Sequence, residues 1–209
     1  MLVKVCGLTR TENIIQVGGL RVNYLGFVFY PSSPRDVSKR IGSLNLSALP
    51  QNQKRVAVMV NEPLASAKAI VKQWGFHAVQ LHGEETPGYC LEMMGLCEVI
   101  KAFPIGQHLP PNMEAYMYCC SYFLFDTATK DRGGSGKTFD HSLLKEYSLQ
   151  KPFFLSGGIG PTDADSVINL SARHPYLAGI DLNSRFEQSP GVKNVEVLGD
   201  FLGRVLVGL

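Results

Sequence analysis

Eight short runs rich in Val, Ile, Phe and Tyr recur along the 209 residues, beginning near Leu2, Tyr24, Arg55, His77, Glu98, Tyr122, Pro152 and Ala178. Their mean spacing of about 26 residues (209/8) leaves room for one helix and two short loops between successive strands. Helical patterns fill the intervals. Leu64, Ala67, Ile70, Val71 and Trp74 recur at the 3–4 spacing of one helix face, and Gly75 stops them. Thr9-Arg10-Thr11-Glu12 reads as a capping box opening the first helix, and Gly160-Pro161 sets proline in the first turn of the seventh. Val197, Leu198, Phe201, Leu202, Val205, Leu206 and Leu209 form one stripe of the last helix.

Near-continuous apolar strands alternating with helices require a parallel sheet covered on its outer face. Eight is the number that closes such a sheet, so the expected fold is α/β: a compact (β/α)8 barrel spanning 1–209 as a single domain. An open doubly wound sheet is the competing arrangement. The chain begins almost at its first strand, which leaves little to plug the barrel floor.

In a closed barrel every loop after a strand opens on the same face, so Cys6, Arg35, His82, Asp126, Gly157, Gly158 and Asp181 are expected to converge there. Two of these end apolar strands: Cys6 closes Leu2-Val3-Lys4-Val5, and Asp126 closes Tyr122-Phe123-Leu124-Phe125. A thiol and a carboxyl facing one pocket are what proton transfer without a cofactor needs, one group removing a proton and the other donating one. The seventh strand runs into Ser156-Gly157-Gly158-Ile159-Gly160 and the eighth into Asp181-Leu182-Asn183-Ser184-Arg185. Glycines let backbone N–H groups approach a phosphate, and barrels commonly hold one after strands seven and eight. A phosphorylated small-molecule substrate follows.

Several classes fall away. A net charge of +2 implies no polyanion-binding surface, so nucleic acid is not an expected partner. No apolar stretch approaches the length of a membrane span and no signal-peptide pattern opens the chain, so a soluble cytoplasmic protein is expected. The five cysteines are odd in number and lack both C-x-x-C spacing and nearby histidines, which argues against disulfide and zinc frameworks. Asp131-Arg132-Gly133-Gly134-Ser135-Gly136-Lys137-Thr138 ends like a P-loop, but Asp131 stands where that motif needs glycine. It reads better as a mobile lid beside Asp126. Lys4 could be an internal ion-pair member, which the sequence alone leaves open.

Together, Lys4-Val5-Cys6-Gly7-Leu8-Thr9-Arg10, Gly26-Phe27-Val28-Phe29 with Ser33-Pro34-Arg35, Val79-Gln80-Leu81-His82-Gly83, Phe125-Asp126 followed by Gly133-Gly134-Ser135-Gly136, and Glu187 with Ser189-Pro190-Gly191-Val192-Lys193 resemble the phosphoribosylanthranilate isomerase family. The resemblance implies an Amadori rearrangement in tryptophan biosynthesis, run without metal or cofactor by a monomer or homodimer. It implies Asp126 as general acid, Cys6 as general base and Arg35 as the partner of the anthranilate carboxylate. Gly157, Gly158, Ser184 and Arg185 would hold the phosphate, and His82 and Asp181 would line the pocket near the ribose. Asn183 and Arg185 depart from the serine and glycine that many members carry there. A sister isomerase of histidine biosynthesis resembles a two-aspartate design, against which Cys6 argues. A non-catalytic phosphate-binding barrel is the remaining alternative.

Overall fold

The computed structural model describes residues 1–127 and 141–208. The proposed lid, with its Gly133-Gly134-Ser135-Gly136 motif, and Leu209 of the last apolar stripe lie outside the described residues. Eight strands close in sequence order into a barrel: β1 (Leu2–Val5), β2 (Tyr24–Phe29), β3 (Lys54–Met59), β4 (Ala78–Leu81), β5 (Glu98–Ile105), β6 (Tyr122–Thr127), β7 (Phe153–Leu155) and β8 (Leu177–Leu182). Neighbours are parallel throughout, and β1 seals the ring against β8, with Lys4 opposite Asp181. Each strand begins within one residue of its expected position.

Among the described residues five α-helices cover the outside: α1 (Thr11–Gly18), α2 (Leu64–Trp74), α3 (Pro87–Met94), α4 (Ala164–Arg173) and α5 (Val195–Val207). Gly75 ends α2 in the left-handed region at φ 61°, as its sequence position suggests. Elsewhere the helices depart from expectation. The loop after β2 holds only 3-10 turns at Ile41–Ser43 and Leu46–Ala48, and the loop after β5 one at Met113–Tyr116. Pro31, Pro34 and Pro50 in the first loop, and Pro110 and Pro111 in the second, lack the N–H a longer helix needs. The capping box does not form: α1 has Arg10 at its N-cap with no side-chain cap, and the Thr9 hydroxyl donates to the Gly191 carbonyl at 2.9 Å. Pro161 lies in the turn before α4, whose N-cap is Asp163.

Strand alternation sorts the core into two layers. Val5, Phe27, Ala57, Val79, Phe125, Leu155 and Ile180 point outward beneath the helices, while Val28, Val56, Val58, Ile100, Leu124 and Phe154 fill the lumen. The floor is closed by the strands themselves. Phe154 meets Tyr24 and Tyr122 edge to face at 5.5 and 5.2 Å between centroids, and Lys54 lies over Tyr24 while pairing with Glu98 at 2.7 Å. At the opposite rim the lumen opens into a pocket.

Candidate active site

That pocket is lined by Cys6, Arg35, His82, Asp126, Gly157, Gly158, Asp181, Ser184 and Arg185, together with Tyr30, Gln80, Ser156 and Asn183. Nine residues singled out from sequence therefore share one cavity. The even-numbered Lys4 and Cys6 of the first strand segment, Gln80 and His82 of the fourth, and Asp126 of the sixth all fall on the lumen side of the alternation. Among the described residues no cluster of His, Cys, Asp and Glu is arranged to hold a metal ion.

Cys6 is buried, and burial pushes its thiol above the ordinary 9.0 against the pull of Lys4. Lys4 lies one alternation below it, fully buried, with its Nζ 2.9 Å from Asp181 Oδ1. Burial alone would lower the Lys4 pKa, but Asp181 and Cys6 outweigh it and hold the ammonium charged. Lys193, from the segment after β8, is a second cation that acts on the thiol.

Asp126 stands across the lumen at the end of β6. Its Oδ1 accepts the Thr127 N–H at 2.9 Å, and its Oδ2 lies 3.3 Å from His82 Nε2. Gly157 makes this geometry possible. At φ 85° it takes a conformation that side chains rarely adopt, and a Cβ there would come within 3.0 Å of Asp126 Oδ1. Gly158 follows at φ 71°, so the chain after β7 turns sharply around the acid.

Arg35 is not a solvated charge. Its Nε and Nη2 donate to the two carboxylate oxygens of Glu187 at 2.8 and 2.6 Å, a bidentate grip that leaves Nη1 outside the pair. Glu187 heads the short strand β9 (Glu187–Ser189), which pairs with β10 (Val192–Lys193). Its Oε1 also accepts from Lys193 Nζ at 2.8 Å and from the Gly191 N–H at 3.0 Å. Lys193 Nζ in turn donates to Asn183 Oδ1 at 2.7 Å. Gly7, at φ 77°, is the gap through which the guanidinium passes: a Cβ there would sit 2.5 Å from Arg35 Cδ.

Ser184 and Arg185 open a 3-10 turn, Ser184–Phe186, after β8. The Arg185 side chain packs against Gly160, where a Cβ would lie 3.1 Å from its Nε. A hydroxyl, a guanidinium and the two left-handed glycines thus form one corner of the pocket. Sequence reasoning passed over Gln80, Glu187 as a partner of Arg35, and Lys193 as a buried cation. The signals were present: Gln80 shares strand parity with His82, and Glu187 and Lys193 are charges inside the segment that carries the family motif.

Fold and pocket define the class: a (β/α)8 barrel whose carboxyl-terminal rim gathers a thiol and a carboxyl between a tethered arginine and a glycine-lined cationic corner. The family model described as N-(5'phosphoribosyl)anthranilate (PRA) isomerase matches residues 3–204. N-(5'-phosphoribosyl)anthranilate isomerase of Parabacteroides distasonis is 40% identical over 210 residues, covering 99% of this chain and 94% of that protein. The crystal structure of phosphoribosyl anthranilate isomerase from Thermus thermophilus superposes with a TM-score of 0.86 at 31% identity, over 99% of each chain. A phosphoribosyl anthranilate isomerase in complex with reduced 1-(o-carboxyphenylamino)-1-deoxyribulose 5-phosphate matches with a TM-score of 0.80 at 28% identity, over 99% of this chain and 100% of that one. The chain belongs to the N-(5'-phosphoribosyl)anthranilate isomerase family.

Proposed function

We propose that this pocket converts N-(5'-phosphoribosyl)anthranilate into 1-(2-carboxyphenylamino)-1-deoxyribulose 5-phosphate, with Asp126 as general acid and Cys6 as general base. Residues 1–209 act as one barrel unit, working in the cytoplasm. The observation that carries the reading is the convergence of thiol and carboxyl on one cavity, between Arg35 at one side and Gly157, Gly158, Ser184 and Arg185 at the other. A substrate with a carboxylate at one end and a phosphate at the other has a cationic partner for each.

Asp126 gives its proton to the furanose ring oxygen as the bond from that oxygen to C1 breaks and the anthranilate nitrogen's lone pair forms C1=N. The Cys6 thiolate then removes the proton from C2. The electrons of that C–H bond form C1=C2 and neutralise the iminium, leaving an enolamine that tautomerises to the ketone. Lys4 and Lys193 favour the thiolate. The exposed edge of the Arg35 guanidinium, already oriented by Glu187, receives the anthranilate carboxylate. Asp181, held by Lys4, and His82 line the ribose. These contacts all come from one chain, so the reading asks nothing of the oligomeric state, monomer or homodimer. The complex of a relative with the reduced deoxyribulose phosphate supports a ligand of this size and charge.

The test is the loss of anthranilate fluorescence when purified protein meets freshly made phosphoribosylanthranilate, with no metal or nucleotide added. Turnover is expected. Activity that vanished on chelation and returned with a divalent ion would overturn the cofactor-free mechanism.

A further inference from the structure

Asn183 is a polar residue of the pocket wall to which the reaction above gives no task. It follows β8, half-buried, directly before the turn that carries Ser184 and Arg185. Its Oδ1 accepts a hydrogen bond from Lys193 Nζ at 2.7 Å. The same Nζ donates to Glu187 Oε1 at 2.8 Å, and Glu187 grips Arg35 by both carboxylate oxygens. Arg35, Glu187, Lys193 and Asn183 thus form one chain of contacts, with a pocket-lining residue at each end.

Lys193 decides how the amide of Asn183 is turned. An ammonium has three N–H donors and no lone pair, so it can face only the carbonyl oxygen of an amide. Burial lowers the Lys193 pKa, and Glu187, ionised between two cations, opposes that loss of charge. Turned the other way, the amide would set its NH2 group against the ammonium, donor to donor. On its other side Oδ1 faces Gly7, where a Cβ would come within 2.8 Å of it. The end of the amide left for a ligand is therefore Nδ2, which makes no hydrogen bond among the described residues.

The lean of Asn183 tells which end of the substrate it meets. Around the rim the loops after β7, β8, β1 and β2 follow one another. The Arg185 side chain lies against Gly160 of the loop after β7, toward the glycines assigned to the phosphate. Asn183 leans the opposite way, over Gly7 of the loop after β1. The point at Gly7 that lies 2.8 Å from its Oδ1 lies 2.5 Å from Arg35 Cδ, so the amide is seated beside the arginine stem. A carboxylate has about four lone-pair sites, and the outer edge of one guanidinium serves about two of them. Removed from water, the others need donors from the wall.

We propose that Asn183 is a specificity-determining residue for the aromatic carboxylate: with Oδ1 held by Lys193, its Nδ2–H donates to the carboxylate that Arg35 receives. Ligands without that acceptor leave a desolvated N–H unpaired and are rejected. The proposal rests on Arg35 being the carboxylate's partner, and the experiment tests that separately.

The experiment is a calorimetric binding cycle between protein and ligand groups. The probe is reduced 1-(o-carboxyphenylamino)-1-deoxyribulose 5-phosphate, compared with its phenylamino counterpart lacking the carboxyl group and with its dephosphorylated form. Asn183→Ala should weaken the full probe about tenfold, the scale of one hydrogen bond to a charged group, and leave the carboxyl-free probe within about threefold. The dephosphorylated probe should lose the same factor as the full one. Asn183→Asp keeps the shape but meets the ligand carboxylate with a like charge. It should weaken the full probe at least about 100-fold, and the carboxyl-free probe again within about threefold. Equal losses with the full and carboxyl-free probes overturn the proposal, as does native-like binding of the full probe by Asn183→Ala. A loss confined to phosphorylated probes overturns it too, making the amide a phosphate donor. Arg35→Ala passes through the same cycle, and equal losses there would instead sink the assignment of Arg35.

Discussion

Lys4 Nζ and Asp181 Oδ1 meet 2.9 Å apart in the closed lumen, the lysine fully buried and the two joined across the β1–β8 seam. Such a pair is costly to break one side at a time, because the survivor is a buried charge without compensation. Lys4→Met should therefore lose about 3–5 kcal/mol of unfolding free energy in urea titration. Lys4→Met combined with Asp181→Leu should recover most of that loss while remaining inactive. A double variant no more stable than the single one would show that the pair is not the source of the cost.

Arg35→Ala removes the proposed carboxylate contact. The loss should be about 1.5–3 kcal/mol of binding, read mainly as a higher KM. Arg35→Lys keeps a charge but cannot reproduce the two-point grip on Glu187, so it should recover only part of the KM. Unchanged kinetics in both would leave the carboxylate without its assigned partner.

The thiol carries a pH signature. Burial raises Cys6 above 9.0, so at neutral pH only a small fraction of free enzyme holds the thiolate. The pH profile of kcat/KM should be bell-shaped, with one limb set by the acid's need for a proton and the other by ionisation of the Cys6 thiol, provided chemistry limits the rate. Lys193→Met, which removes one of the two cations favouring the thiolate, should shift that limb to still higher pH. Cys6→Ser should lose several orders of magnitude in steady-state assays. Retention of most activity would move the base to Asp181.

Glu187 carries a stability signature of the opposite sign. Its burial would raise the carboxyl's pKa, but Arg35 and Lys193 outweigh burial and hold it below 4.5. The unfolded chain binds the proton first as pH falls, so the stabilisation is complete above pH 4.5 and is lost as pH drops through the lower folded value. The gap in thermal midpoint between the native protein and Glu187→Gln should therefore be widest above pH 4.5 and shrink in acid. A gap independent of pH would contradict the ion pairing.

What the chain reveals in advance follows from which interactions are local. Strand positions, the stop at Gly75 and the inward parity of Cys6, His82 and Asp126 rest on period and turn chemistry within a few residues, and all were legible. The resemblance supplied roles that no periodicity shows. The link from Arg35 to Glu187 spans 152 positions and is set by how the loops after β2 and β8 cross over Gly7. The Gln80–His82 contact depends on side-chain torsions, which strand parity does not decide. Missing helices after β2 and β5 were written in their prolines, but an eight-fold repeat invites a helix in every interval.

The seam between β1 and β8 also orders events in time. Lys4 and Asp181 are 177 residues apart, and at a synthesis rate of about 5–20 residues per second the lysine emerges about 9–35 s before its partner is made. During that interval the strand bearing Cys6 has no ladder on one side and an ammonium with no counterion, so it cannot dock in its final place. Until the last strand arrives the ring cannot close, and any strands already paired keep exposed edges. Acid–base chemistry is therefore withheld until translation of β8 is complete, and the same wait makes the incomplete barrel the species that aggregation and chaperones compete for.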